Sequence, residues 1–255
     1  LSAILSTNPI FELNGQYSGS LAMVTDITER KQLEKDIARL DRLSLIGEMA
    51  AGIGHEIRNP MTTVKGFLQL YCEKKDFVKY KETFDLMIEE LDRANLIITE
   101  FLNLAKNKRN DPVKQSLNKI IKAIYPLIQA EAIKNDKEIS LELEDLPEQL
   151  LDDKEIRQVI HNLVRNGMEA MGQKGCLTIK TFMEGDKVVL AIKDQGRGIE
   201  PEVLEKLGTP FFTTKDHGTG LGLAVCYSIA ARHNAKIEVD TRPAGTTIKM
   251  RFNVT

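Results

Sequence analysis

Cysteine is scarce in this 255-residue chain: Cys72, Cys176 and Cys226 are scattered and odd in number. Neither a disulfide framework nor a zinc site is indicated, and a reducing, intracellular compartment is expected. Long apolar runs are lacking too. None approaches the roughly 18 residues that span a bilayer, and no signal peptide is visible. The expected location is therefore cytoplasmic; the chain starts at Leu1 rather than Met, which suggests a piece of a longer protein whose other part holds any membrane anchor or sensor. An excess of one charge is also missing. With Lys+Arg at 35 and Asp+Glu at 37, the formal net charge is −2, which gives no electrostatic basis for binding nucleic acid or an anionic membrane.

What is present falls into three regions. Residues 1–29 read as two strands, "LSAILSTNPIF" and "SLAMVTDIT", joined by the hairpin chemistry of "NGQYSG". Two strands are marginal alone, so these are expected to be the edge of a truncated domain. Residues 30–110 change to a helical period. Leu33, Ile37 and Leu40, then Leu43, Ile46, Ala50, Ile53 and Ile57, recur at steps of three and four. After a polar break at "CEKKD" a second stripe runs through Phe77, Tyr80, Phe84, Ile88, Leu91, Asn95, Ile98, Leu102 and Ala105. These predict an antiparallel helical hairpin whose two stripes are best buried in a homodimeric four-helix bundle. "KNKRNDP" at 106–112 reads as a polar linker with a proline stop. Residues 111–255 alternate: helix 117–134, strand 138–143, helix 153–171, strands 176–182 and 187–193, a glycine-rich stretch, helix 221–232 and two final strands. That is one α/β domain of ordinary size, and the whole chain is of α+β class.

Four stretches carry chemistry. The first is GHEIRNP at 54–60. At about 100° per residue His55 lies nearly opposite the Ile53–Ile57 seam, and Asn59 shares its face one turn on. A carboxylate such as Glu56 on one ring nitrogen fixes the tautomer and leaves the other as a nucleophile. Pro60 offers no N–H to the carbonyl of Glu56, so the helix is expected to loosen there. By itself the pair reads more readily as a solvated surface pair. A metalloprotease is excluded, because HExxH needs a second histidine at position 59.

The second is "IRQVIHNLVRNGMEAM", with an apolar stripe at Ile156, Ile160, Leu163, Gly167 and Ala170. Off it run Gln158, Asn162, Asn166 and Glu169. Asparagine is a mediocre helix former, and its neutral carbonyl oxygen suits Mg²⁺, although an ordinary polar face would look the same. His161 reads as structural. The third is "KDQGRGI", where Asp194 closes a strand and Gly196 and Gly198 let the backbone approach a flat ring. A carboxylate accepts hydrogen bonds only, which fits an exocyclic amine such as adenine's; a plain turn fits too. The fourth is "PFFTTKDHGTGLGL" at 210–223. Gly218, Gly220 and Gly222 run into a helix, the arrangement that presents N–H groups to phosphate, with Thr213, Thr214, Lys215 and Thr219 adding hydroxyls and charge. Such loops also serve as mobile lids. A dinucleotide fingerprint is excluded by Leu223, and a P-loop by Gln173 and Lys174, which do not supply its GK[ST] ending.

Together these stretches resemble one family, the two-component sensor histidine kinases, over about residues 29–255. GHEIRNP is similar to the H box, HNLVRNGMEA to the N box, DQGRGI to the G1 box, PFFTTK to the F box and GTGLGL to the G2 box. "GEMAAGIGHEIRNPMTTVKGFLQL" resembles especially the sporulation-type kinases of Gram-positive bacteria, and "DITERKQLEKDI" resembles the exit of a PAS sensor domain. Three positions depart from the pattern: Gln195 for Asn, Gly167 for Ala, and "HNA" at 233–235 for HGG.

The resemblance implies a dimerising histidine phosphotransfer hairpin followed by an ATP-binding α/β sandwich of the type shared with Hsp90, gyrase B and MutL. It implies ATP and Mg²⁺ as cofactors, with Asn166 as metal ligand and Asp194 on adenine. Asn162, Arg165, Gly196, Gly198, Thr213, Thr214, Lys215, Gly218, Thr219, Gly220, Leu221 and Gly222 complete the nucleotide site. His55 becomes the phosphoacceptor, Glu56 its base, and Asn59 the residue that aligns water for the reverse dephosphorylation. The partners it implies are a second copy, a response regulator receiver domain and an upstream sensor domain. Two other classes compete: a scaffold that binds nucleotide and signals by conformation, and a bare ATPase, for which the hairpin would be idle.

Overall fold

The computed structural model describes residues 2–11, 13, 16–28, 30, 57–105, 112–215 and 218–254, in two compact units, 1–45 and 46–255. His55, Glu56, the upstream seam through Ile53 and linker residues 106–111 lie outside the described residues. Among those described, no helix is long and apolar enough to cross a membrane.

The first unit is the expected hairpin. Strands β1 (Ala3–Phe11) and β2 (Tyr17–Asp26) pair antiparallel, Ala3 opposite Asp26, with a register shift between Ile10 and Phe11. Pro9 is tolerated because β1 has only one paired neighbour. All of β1 is exposed, as are Leu21, Met23 and Val24 of β2.

The second unit opens with the helical hairpin. Helix α1 covers residues 57–72, a 3₁₀ turn covers Lys75–Tyr80, and α2 covers Lys81–Ala105. Three polar rungs tie α1 to α2: Arg58 Nη2 donates to Thr99 Oγ1 at 3.3 Å, Lys65 Nζ to Asp92 Oδ2 at 2.7 Å, and Cys72 Sγ to Asp85 Oδ1 at 3.8 Å. The rung residues follow at seven-residue steps on both helices, two turns each. Tyr71, Phe77, Tyr80 and Phe84 close the turn as an aromatic cluster, with Tyr71 and Phe77 centroids 5.0 Å apart. The expected stripe is half-buried to buried at Phe77 and from Phe84 to Leu102, whereas Tyr80, on the 3₁₀ turn, is 45 % exposed.

Ile57, part of the expected seam, is 43 % exposed in the single chain described. The α1 face that meets α2 is Arg58, Met61, Lys65, Leu68 and Cys72, one position round from Ile57. Ile57, Val64, Phe67, Leu70 and Tyr71 line an outward apolar face instead.

The remaining domain is a layer of helices on one face of a sheet. In chain order come β3 (Val113–Gln115), α3 (Leu117–Lys134), β4 (Glu138–Leu143), β5 (Gln149–Leu151), α4 (Asp153–Ala170), β6 (Cys176–Glu184), β7 (Lys187–Lys193), α5 (Pro201–Leu204), α6 (Gly222–Arg232), β8 (Ala235–Arg242) and β9 (Gly245–Asn253). The sheet order is β4-β6-β7-β9-β8, with β4 parallel to β6 and the other neighbours antiparallel. The small β3–β5 ribbon and α5 were not expected, because three or four residues carry no readable period.

Local signals place the helices. Ser116 caps α3, and Asp152 caps α4 by accepting from the N–H groups of Lys154 and Glu155 at 2.9 and 3.1 Å. Ile156, Val159, Ile160, Leu163, Val164 and Met168 of α4 are buried against the sheet side, together with Ile179, Leu190, Ile248, Met250 and Phe252. Ala170, expected in that stripe, is exposed, since Met168 takes the inward position at the helix end. Cys226 on α6 is wholly buried, which pushes its thiol pKa up to about 12, partly offset by a hydrogen bond with Asn162. Alkylation at neutral pH followed by mass spectrometry is therefore expected to modify half-buried Cys72 and Cys176 first. Cys226 should react only when the domain unfolds.

Candidate nucleotide-binding site

Two clusters of expected site residues converge on α4, at the two ends of a candidate cleft. At one end stands Asp194, just past β7 and only 6 % exposed. Its Oδ1 accepts from the N–H groups of Gly196 at 2.8 Å and Thr246 at 3.1 Å, while its own N–H donates to the Thr246 carbonyl at 2.9 Å. Glycine is required around it. A Cβ on Gly196 would come 2.7 Å from the Ala170 carbonyl oxygen, and Gly198, at φ +76°, lies against the Arg242 backbone. Thr241 Oγ1 accepts from the Ile199 N–H at 2.8 Å and meets Thr246 Oγ1 at 3.0 Å, which locks this loop to the β8–β9 turn.

Gly167 belongs to the same construction. Its Cβ would stand 2.6 Å from Leu177 Cδ1 and 3.3 Å from Asp194 Cβ. Alanine, the better helix former by about 1 kcal/mol, would press on both, so glycine lets α4 lie close to β6 and the carboxylate.

The other end is formed by the polar face of α4 and the glycine-rich loop. Asn166 Oδ1 accepts from Lys215 Nζ at 3.3 Å, and Lys215 Nζ lies 2.5 Å from Glu169 Oε2. Arg165 Nε donates to Glu169 Oε1 at 2.9 Å. Burial raises the Glu169 pKa, but the hydrogen bonds and charges of Lys215 and Arg165 outweigh it and hold the carboxyl below its ordinary value. Asn162 Nδ2 donates to the Gly222 carbonyl at 3.1 Å, fastening the start of α6 to α4.

In the loop, Thr213 Oγ1 accepts from the Lys215 N–H at 3.1 Å and the Gly218 N–H donates to the Lys215 carbonyl at 3.2 Å. Phe211 adopts φ +64°, and a Cβ on Gly220 would come 2.5 Å from the Phe211 carbonyl carbon, so the turn closes only around glycine. The Phe211 ring packs on Phe101 of α2, centroids 5.5 Å apart, joining the loop to the hairpin. Among the described residues α6 has no side-chain cap, which leaves its first N–H groups directed at the glycine loop.

Most of the expected site residues thus gather in these two clusters on α4. Leu221 is fully buried, its N–H on Thr219 Oγ1 at 3.3 Å, and acts as the loop's anchor in the core. Thr214 is exposed, and Asn59 is exposed on α1, where its carbonyl accepts from Thr63 Oγ1 at 3.2 Å. His161 pairs with Glu131 at 3.5 Å, away from the cleft. Sequence reasoning missed Thr246, a polar residue in register with the buried Ile248, Met250 and Phe252; that break in the alternation was its signal. It also gave Glu169 no task.

Magnesium fits this donor set. A neutral carbonyl oxygen and a carboxylate already converge on a cation, the Lys215 ammonium, and hard oxygen donors are what Mg²⁺ prefers, with few protein ligands. Among the described residues no cluster of three or more His, Cys, Asp or Glu forms another candidate.

Comparison with known proteins decides the family. The model for "His Kinase A (phospho-acceptor) domain" matches residues 45–110, and that for "Histidine kinase-, DNA gyrase B-, and HSP90-like ATPase" matches residues 151–255. The solved catalytic domain of histidine kinase ThkA is 32 % identical, covers 56 % of this chain and 95 % of its own, and superposes with a TM-score of 0.52. This chain belongs to the histidine kinases. Sporulation kinase C of Bacillus subtilis (strain 168) is 34 % identical to this histidine kinase over 241 residues, 91 % of the chain. The chain spans only 56 % of the length of that relative. Histidine kinase ThkA solved in complex with response regulator protein TrrA is 29 % identical, with a TM-score of 0.62, over 98 % of this chain and 75 % of that one. The expected fold, a helical hairpin followed by a nucleotide-binding α/β sandwich, is the fold observed.

Proposed function

We propose that the chain is the transmitter part of a two-component system: it transfers the γ-phosphoryl group of ATP to its own His55 and then to an aspartate of a response regulator. The observation that carries this reading is the pairing of two cleft ends on one helix. Asp194, held rigid by Gly196 and Thr246, offers an acceptor for the adenine amine; Asn166 and Lys215 lie at the phosphate end. In the histidine kinase ThkA, a response regulator is bound in the solved complex, which supports the same partner here.

In this mechanism Glu56 holds the Nδ1–H of His55, leaving Nε2 free to attack the γ-phosphorus. The N–P bond forms as the bond to the ADP oxygen breaks, and Glu56 takes the Nδ1 proton. The loop glycines and the open N–H groups of α6 receive the phosphate oxygens, and Lys215 offsets their charge. Mg²⁺, held through Asn166, would neutralise phosphate charge when bound. Asn59, exposed on α1, aligns water for the reverse dephosphorylation of the regulator. Phe101 packed on Phe211 supports delivery of nucleotide to the hairpin.

The outward apolar face of Ile57, Val64, Phe67, Leu70 and Tyr71 supports a homodimeric four-helix bundle. The doubly exposed β1–β2 ribbon, which cannot bury a core alone, supports an upstream PAS-type sensor domain.

Incubation with labelled ATP is expected to give an acid-labile, alkali-stable phosphoprotein that is lost in His55→Gln. Glu56→Gln should slow labelling far more than it weakens ATP binding. Label that survives in His55→Gln, or appears acid-stable, would overturn the reading.

A further inference from the structure

The Lys215 ammonium lies where two oxygens of different helical turns converge, 3.3 Å from Asn166 Oδ1 and 2.5 Å from Glu169 Oε2. Glu169 divides its carboxylate: Oε1 takes Arg165, so Oε2 is the oxygen left for a second cation. From these contacts we propose that Glu169 and Asn166 form a single cation seat, which the lid lysine Lys215 and the divalent ion of the metal–nucleotide occupy in turn. This rests on the nucleotide-binding reading of the site and adds Glu169 to it as a metal ligand.

Two features make the exchange possible. Lys215 is wired into the loop by its backbone, through Thr213 Oγ1 to its N–H and its carbonyl to the Gly218 N–H. A Cβ on Gly218 would stand 3.2 Å from Lys215 Cβ and would crowd Thr213 Oγ1, so the turn that aims the lysine needs glycine there. The ammonium therefore leaves the seat only by swinging its side chain or by moving the loop. The pair is also weak enough to yield. Lys215 and Glu169 side chains are 39 % and 38 % exposed, and a solvent-screened pair of this kind biases an equilibrium by only about fivefold. An ammonium and a divalent ion within one seat repel each other, so the metal displaces the lysine rather than joining it. Arrival of the metal–nucleotide is thereby coupled to release of the lid from α4.

The test is thermodynamic and needs no turnover. ADP affinity is measured by calorimetry on the full chain with excess Mg²⁺ and with a chelator, and the ratio of the two affinities is compared among variants whose thermal melts match the parent. Lys215→Met removes the competitor, so the Mg²⁺-induced gain in ADP affinity should rise about fivefold. Glu169→Gln removes a charged ligand, so the gain should fall by at least about fivefold. Opposite signs are the signature of a shared seat. Ratios equal to the parent's in both variants would mean a surface ion pair only, and ratios that fall together would mean that Lys215 assists the metal; either result overturns the exchange. Failure of the parent chain to bind ADP at all would take the nucleotide-site reading down as well.

Discussion

Replacing Asp194 with asparagine is expected to abolish measurable nucleotide binding while leaving the fold standing. Asparagine keeps the shape of the side chain and a carbonyl oxygen able to accept from Gly196 and Thr246 at the 2.8 and 3.1 Å now observed. What changes is the other arm, from a charged acceptor to an NH₂ donor. A donor facing the exocyclic amine of adenine leaves two donors opposed in a pocket where the residue is only 6 % exposed. Leaving a buried charged or polar group unmatched costs about 3 kcal/mol, or more than a hundredfold in affinity. Calorimetry with ADP measures it directly, and a far-ultraviolet spectrum with a thermal melt like the parent's separates lost recognition from lost structure. An affinity within a few-fold of the parent would remove Asp194 from the adenine pocket.

The second large effect is on stability and lies outside the cleft. Glu155, in the first turn of α4, receives Arg232 from the last turn of α6: Nε at 3.0 Å and Nη2 at 2.8 Å, both on Oε1. Arg232 Nη1 continues to Ser228 Oγ at 2.7 Å. The adjoining His233 ring is almost wholly enclosed. Its Nε2 accepts from the Asp152 N–H at 3.0 Å, which leaves Nδ1 to donate to the Ile229 carbonyl at 2.9 Å. Glu155 is 14 % exposed and Arg232 22 % exposed, so the pair is mostly sheltered from solvent. Glu155→Ala strands the guanidinium and is expected to cost about 3 kcal/mol in urea unfolding, since breaking one partner of a sheltered pair removes its compensation. At this chain size that corresponds to a fall in melting temperature of roughly 6–12 °C. A loss below about 1 kcal/mol would place the pair with ordinary surface bridges.

Much of this architecture was legible in the chain. Helix α3 occupies the expected 117–134 because Ser116 caps it and Ile120, Ile121, Ile124 and Ile128 keep one buried stripe. Strand β4 occupies 138–143 as expected, and Asp152 marks the start of α4. Asn166 stood out as a costly residue type for a helix, and Asp194 as a carboxylate between a strand and two glycines. Illegible were relations between distant segments. Thr246 meets Asp194 from 52 positions away, and Arg232 meets Glu155 from 77 away; local patterning does not state such registers. The histidine of the "HNA" departure is a buried link, and Asn234, at φ +49°, takes the left-handed turn that glycine would otherwise fill. Gly167 read only as a departure from the family's alanine, yet it is the point at which α4 can approach Leu177 and Asp194.

The evenly spaced rungs between α1 and α2 constrain how a stimulus can travel along the hairpin. Displacing one helix by a single residue shifts each donor about 1.5 Å along the axis and turns it about 100°. Arg58, Lys65 and Cys72 would then lose Thr99, Asp92 and Asp85 together rather than one after another. Gradual creep meets a toothed barrier, whereas a pivot about the rungs keeps the teeth engaged. Sliding of one helix along the other is accordingly all-or-none across the three rungs.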